Sequence, residues 1–100
     1  MTLNCENILR ALSDAKRQRI VKALLAAPRS VNDLGESLNM EQFNVSRSLS
    51  ILRTAGIVEF EQVGHVRIYR VAEGALAGAG SEKNVLEFGC CRFRFDQLND

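Results

Sequence analysis

The sequence predicts a single domain of the α+β class, mainly α-helical with one β-hairpin, and three observations lead to this prediction. Apolar residues recur at helical spacing in four segments before residue 56. The pattern then changes to alternation in two segments within 57–71. The chain has 100 residues, the size of one domain, and 46% of them are hydrophobic. We expect one domain over 1–100, with its core at 13–71.

Two helices begin the predicted order, and a capping signal separates them. The first covers 4–12 and places four side chains at helical spacing: Cys5, Ile8, Leu9 and Leu12. Ser13-Asp14 predicts the N-cap of the second helix, which Pro28 ends. Three basic side chains of this second helix are expected to form a solvated face and to contact phosphate: Lys16, Arg17 and Arg19.

The next two helices are predicted to form a helix-turn-helix. Ser30, with Asp33 three residues later, resembles a capping box and opens a short third helix. Asn39 lies where a tight turn is needed, and a fourth helix follows over 41–55. Gly56 suits the end of this helix, because glycine is favoured at a left-handed C′ position.

An antiparallel hairpin follows the fourth helix and forms the wing of a winged helix-turn-helix. Gly64-His65 suits a two-residue type II′ turn, which pairs Val63 with Val66. This register places four apolar side chains on the face that packs against the helices. They form two cross-strand pairs, Phe60 with Tyr69 and Val58 with Val71.

The C-terminal third of the chain is less regular. Residues 72–80 are rich in Ala and Gly and predict a flexible connection or a weak helix start. Ser81-Glu82 suits the cap of a short fifth helix over 82–88, and 90–95 alternates again. The predicted order is therefore four helices, a hairpin and one further helix.

Composition and motifs exclude several classes of function. No apolar run approaches the 18 residues of a membrane span, and the N-terminus lacks the apolar segment of a secretory signal. We therefore expect a cytoplasmic protein with no membrane partner, whose three cysteines are free thiols. The sequence has no glycine-rich phosphate loop, C-x-x-C motif or Ser/His/Asp set, so we expect no enzyme and no obligatory cofactor.

The fourth helix has the composition of a DNA recognition helix. Val45, Leu49 and Leu52 recur at i, i+4 and i+7 and predict its buried seam. The candidate DNA-binding residues of this helix lie on the opposite face or near its N-terminus: Gln42, Phe43, Asn44, Ser46, Arg47 and Ser50. Amide side chains suit adenine, arginine suits guanine, and an apolar side chain suits the thymine methyl group. In the wing, His65 and Arg67 are expected to reach the minor groove or the backbone.

Two other interpretations of this surface remain open. In the first, the exposed face of the fourth helix is only a solvated surface that includes one aromatic side chain. In the second, the winged helix binds a protein and not DNA. The net charge of only +1 slightly favours the second of these. Salt-sensitive binding to duplex DNA separates them from the DNA-binding hypothesis, because phosphate contacts release counterions.

Residues 8–71 resemble the ArsR/SmtB family of winged helix-turn-helix repressors. The similarity is carried by "LSDAKRQRIVKALL", by "VSRSLSILRTAGIV" and, in the wing, by "GHVRIYRV". Ser48 departs from the family pattern, in which His is common at this position. The resemblance implies a homodimer, built mainly from the first and last helices, that represses transcription at double-stranded operator DNA until an inducer binds.

Two inducer sites known from the family do not match this sequence. The third helix has Val31, Asn32 and Asp33 where the family's arsenic site has thiols. The family's zinc, nickel or cobalt site needs several histidines, and the single histidine here, His65, belongs to the wing.

The three cysteines are the remaining candidates for a sensing site. Cys5 lies within 1–12, and Cys90 and Cys91 lie within 81–95, the elements that the family packs together across the dimer. Three converging thiolates suit a thiophilic ion, As(III) or Sb(III). Nearby arginines, Arg92 or Arg94, are expected to lower the thiol pKa. A redox or reactive-sulfur switch and structural thiols with no inducer are the alternatives.

Overall fold

The structure, a computed structural model, describes residues 4–77 and 84–95. Five helices and two antiparallel hairpins occur in these ranges. In chain order they are α1 (Cys5–Ala11), α2 (Ala15–Ala26), α3 (Val31–Leu38), α4 (Gln42–Thr54), β1 (Val58–Val63), β2 (Val66–Val71), α5 (Glu73–Ala77), β3 (Val85–Glu87) and β4 (Arg92–Arg94). The predicted winged helix-turn-helix is confirmed. Within these ranges, no helix combines the length and the apolar character that crossing a membrane requires.

The residues that the sequence marks as helix ends act as caps and turns. Asp14 accepts hydrogen bonds from two backbone N–H groups in the first turn of α2, at 2.8 and 3.2 Å. Ser30 accepts one from the backbone N–H of Asp33 at 3.1 Å. Asn39 (φ 55°) and Gly56 (φ 83°) take left-handed conformations after α3 and α4. Local hydrogen bonding therefore sets the lengths of these helices.

Basic and polar side chains of α2 hold the helices together. Three of them donate to backbone carbonyls at the ends of neighbouring helices: Arg17 to Ala11 at 2.6 Å, Gln18 to Leu12 at 2.7 Å and Arg19 to Leu38 at 2.9 Å. The carbonyls at a helix C-terminus lack intrahelical partners, so these contacts satisfy groups that otherwise need water. The structure thus places Arg17 and Arg19 in the packing of the domain, and the sequence did not indicate this role.

The wing has the predicted register. Val63 pairs with Val66, and both predicted cross-strand pairs form. Gly64 has φ 64°, whereas Asn39 and Asn84 are the only described non-glycine residues with positive φ. His65 therefore has negative φ, which fits a type II′ turn and excludes type I′. Backbone bonds between Arg29 and Tyr69 attach the wing to the connection before α3.

The C-terminal segment corrects the predicted fifth helix over 82–88. Val85–Glu87 is a strand that pairs with Arg92–Arg94, while the helix that follows the wing is the short α5. The cap predicted at Ser81-Glu82 lies outside the described residues. Burial of apolar side chains explains the strand, because Val85, Leu86 and Phe95 are buried, and Leu86 and Phe95 join the same core as Ile8 of α1. Burial in that core stabilises the strand, whereas an isolated helix of about two turns is only marginally stable.

Candidate nucleic-acid interface and thiol cluster

Helix α4 presents the predicted polar face to solvent. Val45, Leu49 and Leu52 are fully buried, as the seam requires. Five of the six candidate residues of this helix are exposed: Gln42, Phe43, Ser46, Arg47 and Ser50. The sixth, Asn44, is partly buried. Phe43 has 70% of its surface exposed. Ser48 is only 6% exposed, so the position where the family commonly has His lies against the core and away from this face.

A polar groove of about 690 Å³ lies between the start of α3, helix α4 and the wing tip. Eight of the residues that line it carry polar side chains, and together they come from all three elements: Ser30, Asn32, Asp33, Gln42, Ser46, Gln62, His65 and Arg67. Gln42 donates a hydrogen bond to the side chain of Asn32, which joins the first turn of α4 to α3. Asp33 is the one carboxylate among the lining residues. The groove therefore brings the recognition helix and the wing residues that the sequence singled out to one side of the molecule.

Eight arginines of the described region fall into two groups by their partners. Four pair with carboxylates: Arg10 with Glu6, Arg17 with Asp14, Arg70 with Glu59 and Glu61, and Arg92 with Glu87. Four have no carboxylate at ion-pair distance within 4–77 and 84–95: Arg29, Arg47, Arg53 and Arg67. Arg47, Arg53 and Arg67 belong to α4 or the wing, whereas Arg29 lies in the connection before α3. Three of the four arginines without such pairs are therefore on the candidate interface.

Aromatic contacts hold two of the arginines that have no carboxylate partner. The guanidinium carbon of Arg67 lies 4.4 Å from the centroid of the Phe60 ring, and that of Arg53 lies 4.7 Å from the same centroid. Arg67 is among the residues predicted from the sequence, whereas Arg53 is not, because it lies in the last turn of α4, beyond the expected recognition surface. In the sequence, Arg53 is a single basic residue shortly before the wing, and such a residue is too common to indicate a binding site.

The three cysteines converge within one chain. Cys5 begins α1, while Cys90 and Cys91 lie in the β3–β4 turn, and all three sulfur atoms lie within 4.8 Å of one another. Cys5 and Cys90 are joined as a disulfide with their Cα atoms 6.3 Å apart, so the expectation of three free thiols is wrong for this pair. Cys91 is the free cysteine of the described region and is partly buried. The family's arrangement across a dimer is not needed to bring these sulfurs together.

The environment of Cys91 differs from the one expected. Burial raises the pKa of the Cys91 thiol, and the carboxylate of Glu87 raises it further. Arg92 forms an ion pair with the same Glu87 at 3.4 Å. The prediction that Arg92 or Arg94 lowers the thiol pKa is therefore wrong for Cys91, because desolvation disfavours the thiolate.

The known proteins that this chain resembles in sequence are bacterial regulators. The family model described as "Bacterial regulatory protein, arsR family" matches residues 14–59. The HTH-type transcriptional repressor SmtB of Mycobacterium tuberculosis H37Rv is 40% identical over 70 residues, which cover 70% of this chain and 52% of SmtB. The chain thus spans about half the length of this curated relative.

Solved structures have the same fold. The transcriptional repressor BigR from Xylella fastidiosa superposes with a TM-score of 0.66 at 31% identity, over 75% of this chain and 74% of BigR. The homodimeric winged helix-turn-helix DNA-binding domain of Mb0332 from Mycobacterium bovis gives a TM-score of 0.70 at 25% identity, over 75% and 69% of the two chains. These similarities agree with the architecture described above.

Proposed function

Because the chain belongs to the ArsR family of bacterial regulatory proteins, we propose that it is a transcriptional repressor that binds double-stranded operator DNA as a homodimer. The distribution of arginines carries this proposal, since three arginines without a carboxylate partner, Arg47, Arg53 and Arg67, lie on α4 and the wing. The homodimer is supported by the assembly of Mb0332. Membership of a family of DNA-binding regulators also confirms that the chain is not an enzyme.

Base recognition is assigned to the exposed face of α4. Arg47 is suited to guanine, Gln42 and Asn44 to adenine, and Phe43 to a thymine methyl group. Two hydroxyls of the same face, from Ser46 and Ser50, supply further bonds to bases or phosphate. His65 and Arg67 of the wing approach the adjacent backbone or minor groove.

Binding to duplex DNA at increasing salt tests this function. A preferred duplex is first selected from a randomised pool, and its affinity is then measured by fluorescence anisotropy. We expect log K to fall linearly with log salt concentration, because each phosphate contact releases counterions. Arg47→Ala should lower discrimination at one base pair by about 1–3 kcal/mol.

Arg10→Ala is the matched control for these measurements. Arg10 is an exposed arginine of α1 that pairs with Glu6, so its loss removes the same charge from a different surface. Affinity that does not depend on salt, or equal effects of Arg47→Ala and Arg10→Ala, would contradict the assignment of α4 as the recognition helix.

The inducer that we propose is a thiophilic ion, As(III) or Sb(III), bound by the reduced thiols of Cys5, Cys90 and Cys91. The proximity of the three sulfur atoms, all within 4.8 Å, supports this site. Soft thiolate ligands favour soft ions. A cytoplasmic location suits the proposal, because the reducing cytosol opposes the disulfide that otherwise occupies two of the ligands.

The path from this site to the DNA-binding surface runs through α1. Cys5 is the first residue of α1, and Ile8 and Ala11 of the same helix lie in one core with the buried seam of α4. An ion that binds all three sulfurs ties the β3–β4 turn to α1. If the two states of the dimer differ in this contact, binding of the ion shifts the equilibrium away from the DNA-binding state.

A thiol-based redox repressor is the second candidate, and the disulfide between Cys5 and Cys90 supports it. In this case an oxidant such as a peroxide or a reactive sulfur species takes two electrons and two protons from the thiols. The disulfide then links α1 to the β3–β4 turn as the ion would. DNA release by oxidant in the absence of arsenite distinguishes this candidate from the metalloid sensor.

A further inference from the structure

We propose that Arg53 and Arg67 form a two-arginine site for backbone phosphate of the bound DNA, and that Phe60 is the residue that positions both guanidinium groups. The proposal rests on the proposed DNA-binding function and adds Arg53 and Phe60 to its interface. It places the phosphate contacts of the wing at its junction with the last turn of α4.

The shared aromatic ring brings the two cations together. Both guanidinium carbons lie within 5 Å of the Phe60 centroid, so they are at most about 9 Å apart. Phe60 is itself fixed, because its ring packs against the buried Tyr69 at a centroid distance of 5.4 Å. A guanidinium that lies over a ring keeps its N–H donors for another partner.

Alternation along the wing separates its charges onto two faces. Glu59 and Glu61 project from the face opposite Phe60, where both pair with Arg70 at 3.3 and 3.8 Å. Arg67 shares the face of Phe60, which carries no carboxylate in β1 or β2. The acidic residues of the wing are therefore paired with Arg70 on one face, while Arg67 on the other face has no carboxylate partner.

The positive charges of Arg53 and Arg67 suit a phosphate diester, because the described chain offers neither of them an anionic partner. Neither has a carboxylate at ion-pair distance within 4–77 and 84–95. Two like charges at this separation repel each other, and an anion placed between or beside them removes the repulsion. Guanidinium groups bind phosphate oxygens through paired N–H donors. Arg67 also lines the groove that contains Ser46 of the recognition helix, which places the site next to the base-contacting surface.

The slope of log K against log salt concentration tests the phosphate site. We expect Arg53→Ala and Arg67→Ala each to reduce the magnitude of the slope by about 1, with a similar loss of affinity for preferred and random duplexes. Two control variants remove arginines that pair with carboxylates elsewhere, Arg10→Ala in α1 and Arg70→Ala on the opposite face of the wing. Both controls should leave the slope unchanged.

The role of Phe60 requires a separate pair of variants. Phe60→Leu removes the ring and should weaken duplex binding several-fold, whereas Phe60→Tyr retains the ring and should retain the affinity. Circular dichroism and thermal melting show which variants are folded at the temperature of the binding assay. If Phe60→Leu is unfolded there, the arginine variants alone decide the proposal.

Two results separate this inference from the proposed function. If the wild-type protein binds duplex DNA with a steep salt slope, Arg47→Ala weakens it and Arg53→Ala behaves like Arg10→Ala, then only the phosphate site is wrong. If the wild-type protein shows no salt-dependent binding, the proposed function fails together with this inference. A reduced slope for both Arg53→Ala and Arg67→Ala supports the site.

Discussion

The Sγ atom of Cys91 lies 3.4 Å from the Sγ atom of Cys5, although the two residues are 86 positions apart. Cys90 completes the cluster through its disulfide to Cys5. The β3–β4 turn is thereby attached to the start of α1, and α1 packs against α4. A chemical change at these sulfurs therefore acts on an element in direct contact with the proposed recognition helix.

Titration of the reduced protein with arsenite under anaerobic conditions tests the proposed metalloid site. We expect one ion per chain, detected by near-ultraviolet absorption of the sulfur–arsenic bonds. Cys5→Ser and Cys91→Ser should each weaken binding, because each removes one of three ligands. Oxidised wild-type protein is the control, since its disulfide leaves one thiol and it should give no signal. A flat titration of the reduced protein excludes the metalloid sensor.

Arsenite should also release the protein from DNA. A coupling of about 1–3 kcal/mol, the common range for linked sites, corresponds to a loss of about 5- to 150-fold in duplex affinity. Cys5→Ser should bind the duplex as tightly as wild type but respond less to arsenite, because α1 is no longer tied to the turn. Anisotropy with and without arsenite measures both quantities. Equal affinities for the wild type in the two conditions would mean that the ion, even if bound, is not the inducer.

The reactivity of Cys91 should depend on pH in a direction set by its surroundings. With the disulfide of Cys5 and Cys90 intact, Cys91 is the one thiol left in the chain to be alkylated. Burial and then Glu87 raise its pKa, so the rate of alkylation by iodoacetamide should reach its midpoint above about 8.5, the usual cysteine value. Glu87→Gln removes the second cause and should move the midpoint to lower pH. A wild-type midpoint at or below the usual value contradicts this account.

The same shift has a consequence for stability. The unfolded thiol ionises at lower pH than the folded one, so the folded state binds this proton more tightly. The contribution is fully present below the unfolded pKa and is lost as pH rises through the folded pKa. The free energy of unfolding of the oxidised protein should therefore decline above about pH 8.5 more steeply than that of Cys91→Ser, as measured by urea denaturation.

The C-terminal hairpin should contribute to the stability of the whole domain. Leu86 is fully buried in the core that contains Ile8 and the seam of α4. Leu86→Ala removes this packing and should lower the free energy of unfolding by about 2–5 kcal/mol. Gln62→Ala, an exposed position of the wing, should change it by no more than about 0.5 kcal/mol. A loss below about 1 kcal/mol for Leu86→Ala would show that the hairpin is an appendage and not part of the core.

Local chemistry explains why the first 71 residues were predictable. The caps at Asp14 and Ser30 and the turns at Asn39 and Gly64 depend on a few neighbouring residues, and the structure has all four. The helical period also separated the buried seam of α4 from its exposed face. The exposure of that face is as expected, and its contact with DNA stays a prediction.

The C-terminal segment was not predictable in the same way. The stretch around Val85 is short and apolar, a pattern that a helix and a strand share, and its pairing with the strand that contains Phe93 decides between them. Burial of Phe95 and Leu86 in the core that also contains Ile8 of α1 stabilises that pairing. These contacts connect residues about 80 positions apart, which a local pattern does not report.

The sequence by itself determined the winged helix-turn-helix, its register and the set of candidate DNA-binding residues, because spacing and turn chemistry act between near neighbours. Only the tertiary structure decided which arginines are neutralised and which sulfurs meet. Arg53 and Arg67 share the ring of Phe60, and Cys5 meets Cys90 and Cys91, through packing of elements that are distant in the chain. Charge compensation and thiol proximity depend on distances of a few ångströms, and the folded core sets those distances.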